Sequence, residues 1–333
     1  MKRMAFAVAV LAGTLPLYAR HSHQWRQAIG EPVLVKVVEL PDGAAVAARL
    51  IEQVRAGSAA QIRGGVGTSA IMNNSSTRSV VIPAAGSVRG GGGTFFRSDI
   101  TLANWNVTAQ DVAVVWMPNG GASTTFRTTF PGDRPPFTVQ DFVGTLLNRD
   151  GLGSLFFIPI TSAGAVDPNG AIDAYSRIWT PQPNATGTVS QPFSGVDPNH
   201  LRGEYEAFVL GLRQDSAYRT NFGIVNLHNT QLNFLVTVFP ESSSAGTQLT
   251  EVHVTIPAMS MIQQALPAGA YTTPINLLVE VDENVPGSNQ VWTAYASSTD
   301  NITGDGWVSI AGKDWDDESL DSLTQPSRPR KNH

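Results

Sequence analysis

The turn "DNITGDG", Asp300 to Gly306, gathers Asp300, Asn301 and Asp305, oxygen ligands of the kind a calcium ion takes. It lacks the D-x-D-x-D-G spacing and closing glutamate of an EF-hand loop, and the corresponding stretch "PNATGTV", Pro183 to Val189, has neither acid. The turn is therefore a weak calcium candidate and reads better as a plain turn. Glu204 and Glu206 would share one face of a strand, whereas a glycosidase pair must flank its sugar from different elements. The histidines offer no HExxH pattern, and their closest pair, His21 and His23, lies near the start of the chain. With no cysteine, disulfides, thiolate metal sites and cysteine nucleophiles are all excluded. The serine hydrolase elbow Gly-x-Ser-x-Gly is also missing.

Glycines raise a further possibility at "RGGGGTFFRSDITLANWN", Arg89 to Asn106, where four in a row follow an arginine. A phosphate loop needs Gly-Lys-Ser/Thr ahead of a helix, and here a strand pattern follows. An RNA-binding RGG segment needs many basic repeats, yet the chain carries Lys+Arg 22 against Asp+Glu 27, a net charge of -5. General nucleic-acid binding is excluded on the same ground, and no cofactor is expected. The glycines read as a flexible entry into a strand.

The elements that would position any site repeat themselves. "RSDITLANWNVTAQDVAVVWMP", from Arg97, aligns without a gap on "RTNFGIVNLHNTQLNFLVTVFP", from Arg219, at an offset of 122. Five of the 22 positions are identical: Arg97/Arg219, Asn104/Asn226, Thr108/Thr230, Val114/Val236 and Pro118/Pro240. Composition alone would give about one or two. Downstream, "SLFFI" at Ser154 falls on "NLLVE" at Asn276, "AYS" at Ala174 on "AYA" at Ala294, and "NATG" at Asn184 on "NITG" at Asn301. A duplicated unit of about 120 residues, the size of one β-sandwich domain, is the simplest explanation. Each unit reads as short strands between turns, with Ile100 and Leu102 alternating against Asp99 and Thr101 and no helical period between strands. Arg97 and Arg219 each follow an aromatic and open a strand, which suits stacking on a ring or bridging strand-end carbonyls.

On the residues "GGTFFRSDITLANWN", "AYRTNFGIVNLHN" and "AYASSTDNITGD" the chain resembles exported bacterial proteins that carry tandem Ig-like β-sandwich repeats. The resemblance covers roughly Val80 to Ile310. It implies architecture: an all-β chain of two tandem Ig-like antiparallel sandwiches.

The expected organisation is a signal peptide over 1–19, a strand-helix segment and linker over 20–78, sandwiches over 79–199 and 200–311, and a disordered tail over 312–333. Lys2 and Arg3 precede an apolar run broken by Pro16, as in a secretory leader, and the run falls short of the about 20 apolar residues of a spanning helix. "VLVKVVEL" forms one apolar strand, and "AAVAARLIEQVRAG" a helix stopped by Gly57. The expectation for function is an exported, non-enzymatic structural or adhesive protein, secreted or at the cell surface. Its partners would be copies of itself, surface proteins or glycans. A sharper form is polymerisation by strand donation, with Val33, Val35, Val37 and Leu40 completing a neighbour's sheet, its rival being that the strand pairs within its own domain. The alternative is a secreted hydrolase, or its accessory binding domain, with acids drawn from loops such as "NRDGLG" (148–153) and "DENVPG" (282–287).

Overall fold

The structure is a computed structural model that describes residues 35–63, 78–133, 135–182, 186–201, 206–241, 248–267, 271, 274–281 and 290–313. The expected signal segment and Val33 lie outside the described residues.

Alternating and continuous apolar runs become antiparallel strands throughout. The first half contains β1 (Val37–Glu39), the helix α1 (Gly43–Arg63), β2 (Val80–Arg89), β3 (Phe95–Asn104), β4 (Gln110–Pro118), β5 (Thr124–Phe130), β6 (Phe137–Val139), β7 (Gly151–Ile160), β8 (Ile172–Pro181) and β9 (Thr188–Ser194). The second contains β10 (Glu206–Leu212), β11 (Tyr218–Asn226), β12 (Leu232–Pro240), β13 (Thr250–Ile256), β14 (Ser260–Ala265), β15 (Ile275–Val281), β16 (Trp292–Asp300), β17 (Gly306–Ile310) and β18 (Gly312–Lys313).

Strand order is the same in both halves. β5-β4-β7-β2 and β6-β3-β8-β9 in the first correspond to β13-β12-β15-β10 and β14-β11-β16-β17 in the second. Each half is sandwich-like: its two layers face each other across a core, with Ile100, Val114, Trp116 and Phe157 in one and Phe222, Ile224, Phe234 and Trp292 in the other. The pairs β3-β6, at the edge of one layer, and β4-β7, inside the other, match two neighbour pairings of the immunoglobulin order, but the order as a whole differs. The terminal strands are exchanged, since β8 lies beside β3 and β2 beside β7.

The halves differ at their edges. The end of β2 crosses to β3, with Ser87 opposite Arg97, so the first half's layers join along one corner. A bulge between Ile82 and Ala85 frees β2 to turn that corner, and it coincides with Pro83, which has no amide to donate. Ser154 Oγ donates to the Ile82 carbonyl at 2.7 Å, and the Gly86 amide donates to Ser98 Oγ at 2.6 Å, satisfying backbone groups beside the bulge. The shorter β10 does not reach β11, and its outer edge takes β18. Residues 312–313, expected in the tail, are thus a strand.

Between the halves lies a third core, which the expectation of two tandem sandwiches did not contain. Val81, Ala113, Val115, Phe156 and Ile158 point away from the first half's own core and pack on Val225, Met261, Val291 and Tyr295 from the second half. Helix α1 runs along this core with Ala47, Leu50, Ile51 and Val54 buried. The helix continues past Gly57 to Arg63. One interior glycine costs about 1 kcal/mol, less than burial of such an apolar face contributes. The result is a stack of four strand layers, in which the first half's β5-β4-β7-β2 layer and the second half's β14-β11-β16-β17 layer are covered on both faces.

Polar bonds lock the joint. The Gly120 amide donates to the Met261 carbonyl at 2.9 Å, and Asn119 pairs both ways with the Gln263 backbone at 3.1 and 3.3 Å. Asn229 Nδ2 donates to Glu52 of α1 at 2.6 Å.

Candidate functional site

The chemistry-bearing residues singled out in the sequence do not converge. Asp300 accepts from the amides of Ile302 and Thr303 at 2.7 and 2.8 Å, a turn-closing arrangement that lowers its pKa through those bonds. Asn301 Oδ1 accepts from Arg219 at 2.8 Å, and Asp305 Oδ1 from the Gly306 amide at 2.9 Å. One oxygen of each residue proposed for calcium is thus engaged, by the turn itself at Asp300 and Asp305 and by Arg219 at Asn301. Among the described residues no group of three His, Asp or Glu could hold a metal ion. Glu204 and the loop "DENVPG" lie outside the described residues, and Asp150 of "NRDGLG" is exposed.

Among the described residues of the proposed donor strand, Val37 to Glu39 pair, antiparallel to Thr128, Arg127 and Phe126 of β5 in the same chain. Val35 is buried, the Leu40 amide donates to the Thr125 carbonyl at 2.8 Å, and Arg149 ties Glu39 at 2.6 Å. The segment therefore extends its own first sheet by one strand.

Arg97 and Arg219 both serve local structure. The Arg97 guanidinium lies 4.7 Å over the Phe95 ring and 5.8 Å from the Trp179 ring, with Asp141 at 3.8 Å. Arg177 approaches the same indole at 5.7 Å. Together these residues form an aromatic and cationic strip on the outer face of β3 and β8.

The repeat gains a structural meaning at two further pairs. Asn104 closes β3 by donating to the carbonyls of Thr108 and Pro131 at 2.9 and 3.2 Å, while its Oδ1 accepts from the Asn106 amide at 3.0 Å. Asn226 does the same at the end of β11, donating to Thr230 and Pro257, both at 2.9 Å, and accepting from the His228 amide at 2.8 Å. Tyr175 stands opposite Thr101 in the first half, and Tyr295 opposite Gly223 in the second. A side chain at Gly223 would collide with the Tyr295 ring, its Cβ falling 2.3 Å from the ring. Tyr295 lies flat across that glycine in the third core, edge-on to Phe193 at 5.2 Å. Its hydroxyl donates to Gln263 Oε1 at 2.6 Å, and burial pushes its phenol up. Tyr175, at the matching place, is 42% exposed.

Two other surfaces could meet a ligand. A polar cleft of about 560 Å³ opens between the β3–β4 turn and the β7–β8 loop, lined by Asn106, Thr108, Gln110, Asp111, Ser162 and Asn169 among others. Gln110 holds its walls together, donating to the Ile160 carbonyl at 3.0 Å and to Asp167 at 3.3 Å. Burial pushes Asp111 up, but hydrogen bonds from Thr129 and Arg127, with the Arg127 charge, outweigh it and hold the carboxyl below the usual aspartate range. An acid so held stays ionised near neutrality and cannot act there as a general acid.

The second surface is the outer face of the last sheet, with Leu235 and Leu278 beside Glu280 and an exposed Leu210 on β10. Burial raises the pKa of Glu280, and Glu251 nearby raises it further. Sequence reasoning missed both this face and its opposite around Tyr175, although the repeated "AYS" and "AYA" marked the second. The chain matches no family model, no curated protein and no solved structure.

Proposed function

We propose that the chain is an exported, non-enzymatic structural or adhesive protein of the cell surface or extracellular space, built from two copies of one sandwich unit. It acts by presenting sheet faces and loops to other copies of itself, to surface proteins or to glycans. Support for two copies comes from the matched strand orders and from Asn104 and Asn226, which close the same turn with the same bonds. The proposed kinship with immunoglobulin-like repeats rests on the pairings β3-β6 and β4-β7, since the terminal strands are exchanged. Export rests on the basic and apolar start of the chain. Among the described residues no helix is long and apolar enough to cross a membrane.

The single observation that carries the reading is the stack of sheets ending in two broad outer faces, each with large apolar side chains at its surface, Tyr175 on one and Leu210 on the other. Such faces suit contact with a macromolecule. The strand-donation form loses its simplest basis because β1 already pairs within its own sheet. Donation would require exchange of β1 between copies.

The second reading, a binding domain of a hydrolase system, draws on the polar cleft beside Asn106, where amides and hydroxyls could bond a glycan. Mass photometry and negative-stain microscopy of the exported protein separate the readings. Oligomers or filaments, or tight adhesion to cells or glycans without turnover, support the structural role. Turnover of a polysaccharide or peptide that copurifies with the chain overturns it.

A further inference from the structure

The internal joint of this chain brings one kind of face against another: the outer face of a β4-β7 layer receives the outer face of a β11-β16 layer. Each half has both kinds of face, so one of each is left over. In the first half the leftover is the β3-β8 face, where Tyr175 occupies the place that Tyr295 fills in the joint. In the second it is the β12-β15 face. There Leu235, Leu278 and Glu280 stand 122 residues beyond Ala113, Phe156 and Ile158, all buried in the joint. Both faces keep exposed apolar side chains, Tyr175 at 42% and Leu210 at 57%, while Leu235, Leu278 and Glu280 are half-buried.

We propose that the chain associates head to tail, the β3-β8 face of one copy, around Tyr175 and Arg177, seating on the β12-β15 face of the next, around Leu278 and Glu280. The inference rests on the structural reading above and specifies the partner as a second copy of this chain. The faces are complementary in chemistry. Arg97 and Arg177 stand beside aromatic rings on the first, with Asp99 of β3 opposite Arg177. The second carries Glu251 and Glu280 among leucines. Salt bridging of Arg177 to these carboxylates would give the like-charged pair Glu251 and Glu280 a cation on assembly.

The contact is heterologous, since the two surfaces differ, so repetition gives a ring or an open filament according to whether its rotation closes. Four strands about 4.8 Å apart and six residues at about 3.4 Å make a face of about 19 by 20 Å. At about 380 Å² per copy that is below the standard specific interface and in the range of weak, transient contacts, so weak, concentration-dependent association is expected.

The test is sedimentation velocity of the full chain from about 1 to about 100 µM at low salt, repeated with R177E, with E280R and with the two mixed in equal amounts. The weight-average mass of the unaltered chain is expected to rise above the monomer's 35.5 kDa. Each variant alone sets like charges face to face and weakens association by about tenfold or more. The mixture restores it, because the faces of the two variants match again. Tyr175→Ser, at an exposed position, is expected to weaken association without unfolding the chain, and circular dichroism melting confirms that each variant is folded.

A mass that stays monomeric at every concentration, variants that assemble like the parent, or a mixture that fails to recover would each overturn the proposal. A monomer that still adheres to cells or glycans leaves the structural reading standing. Copurifying turnover ends that reading whatever the mass.

Discussion

Replacing Asn226 by alanine is expected to loosen the second half more than any exposed substitution. The side chain is fully buried. Its amide donates to the carbonyls of Thr230, Ile256 and Pro257 at 2.9, 3.1 and 2.9 Å, and its Oδ1 accepts from the His228 amide at 2.8 Å. Alanine removes every one of these bonds and takes this partner from the buried Ile256 carbonyl and His228 amide, and from the part-buried carbonyls of Thr230 and Pro257. At about 1 kcal/mol per bond net, with the added cost of stranded groups, the loss is about 3 to 4 kcal/mol. An unfolding entropy of about 2.1 cal/mol/K per residue gives about 0.7 kcal/mol/K for 333 residues melting together, so Tm falls by about 5 °C. Urea unfolding of dilute protein followed by tryptophan fluorescence gives the free energy directly. Asn226→Asp keeps the acceptor but turns a carboxylate toward the carbonyls, and destabilises at least as much. Asn104→Ala costs somewhat less, because its bonds to Phe130 and Pro131 are longer at 3.5 and 3.2 Å. A loss below about 1 kcal/mol at both positions would refute the assignment of these asparagines as the closures of the two turns.

Tyr295→Ala opens a cavity in the joint and strands Gln263, for a loss of about 3 to 5 kcal/mol, whereas Tyr175→Ala at low concentration changes stability by less than about 0.5 kcal/mol. Equal effects in parallel thermal melts would contradict the placing of one ring in a core and the other at a surface. The folded pKa of Glu280 is raised, so the folded state binds its proton more readily and the ionised group lowers stability at neutral pH. Glu280→Gln is accordingly expected to stabilise the dilute chain at pH 7, the gain shrinking as pH falls through the raised value and vanishing below the ordinary glutamate range. A stability difference independent of pH would sink that explanation. Millimolar calcium is expected to leave Tm unchanged, since Asp300 is engaged by its own turn and Asn301 by Arg219, and a saturable rise would restore the turn as a site.

The layered architecture was only half legible in the sequence. Ile100 and Leu102 alternating with Asp99 and Thr101 announced a strand with one buried face, and both apolar residues are buried. The third core left a plainer trace that alternation hid. "DVAVVWMP" is apolar on both faces, the pattern of a strand covered on both sides, and its partner "LNFLVTVFP" alternates because its outer face is open.

Local pattern left open whether the segment before the repeat pairs within its own domain or with a neighbour, because its partner here, the edge of β5, lies about 90 residues downstream. The acids of "DNITGDG" suggested an ion, but Asp and Asn in a turn just as often bond their own backbone, and composition does not distinguish the two. The meaning of the two tyrosines depended on the joint: identical neighbours, "AY" in each half, end in opposite surroundings because only one half has its face covered within the chain.

The central claim is that the face around Tyr175 is a contact surface matching the chain's own joint around Tyr295. Hydroxyl-radical footprinting with mass spectrometry at about 1 and about 100 µM measures it side chain by side chain. The expected result is that oxidation of Tyr175 falls with concentration, together with that of Leu278, while Tyr295 stays protected throughout. Equal oxidation of Tyr175 at both concentrations would contradict the claim.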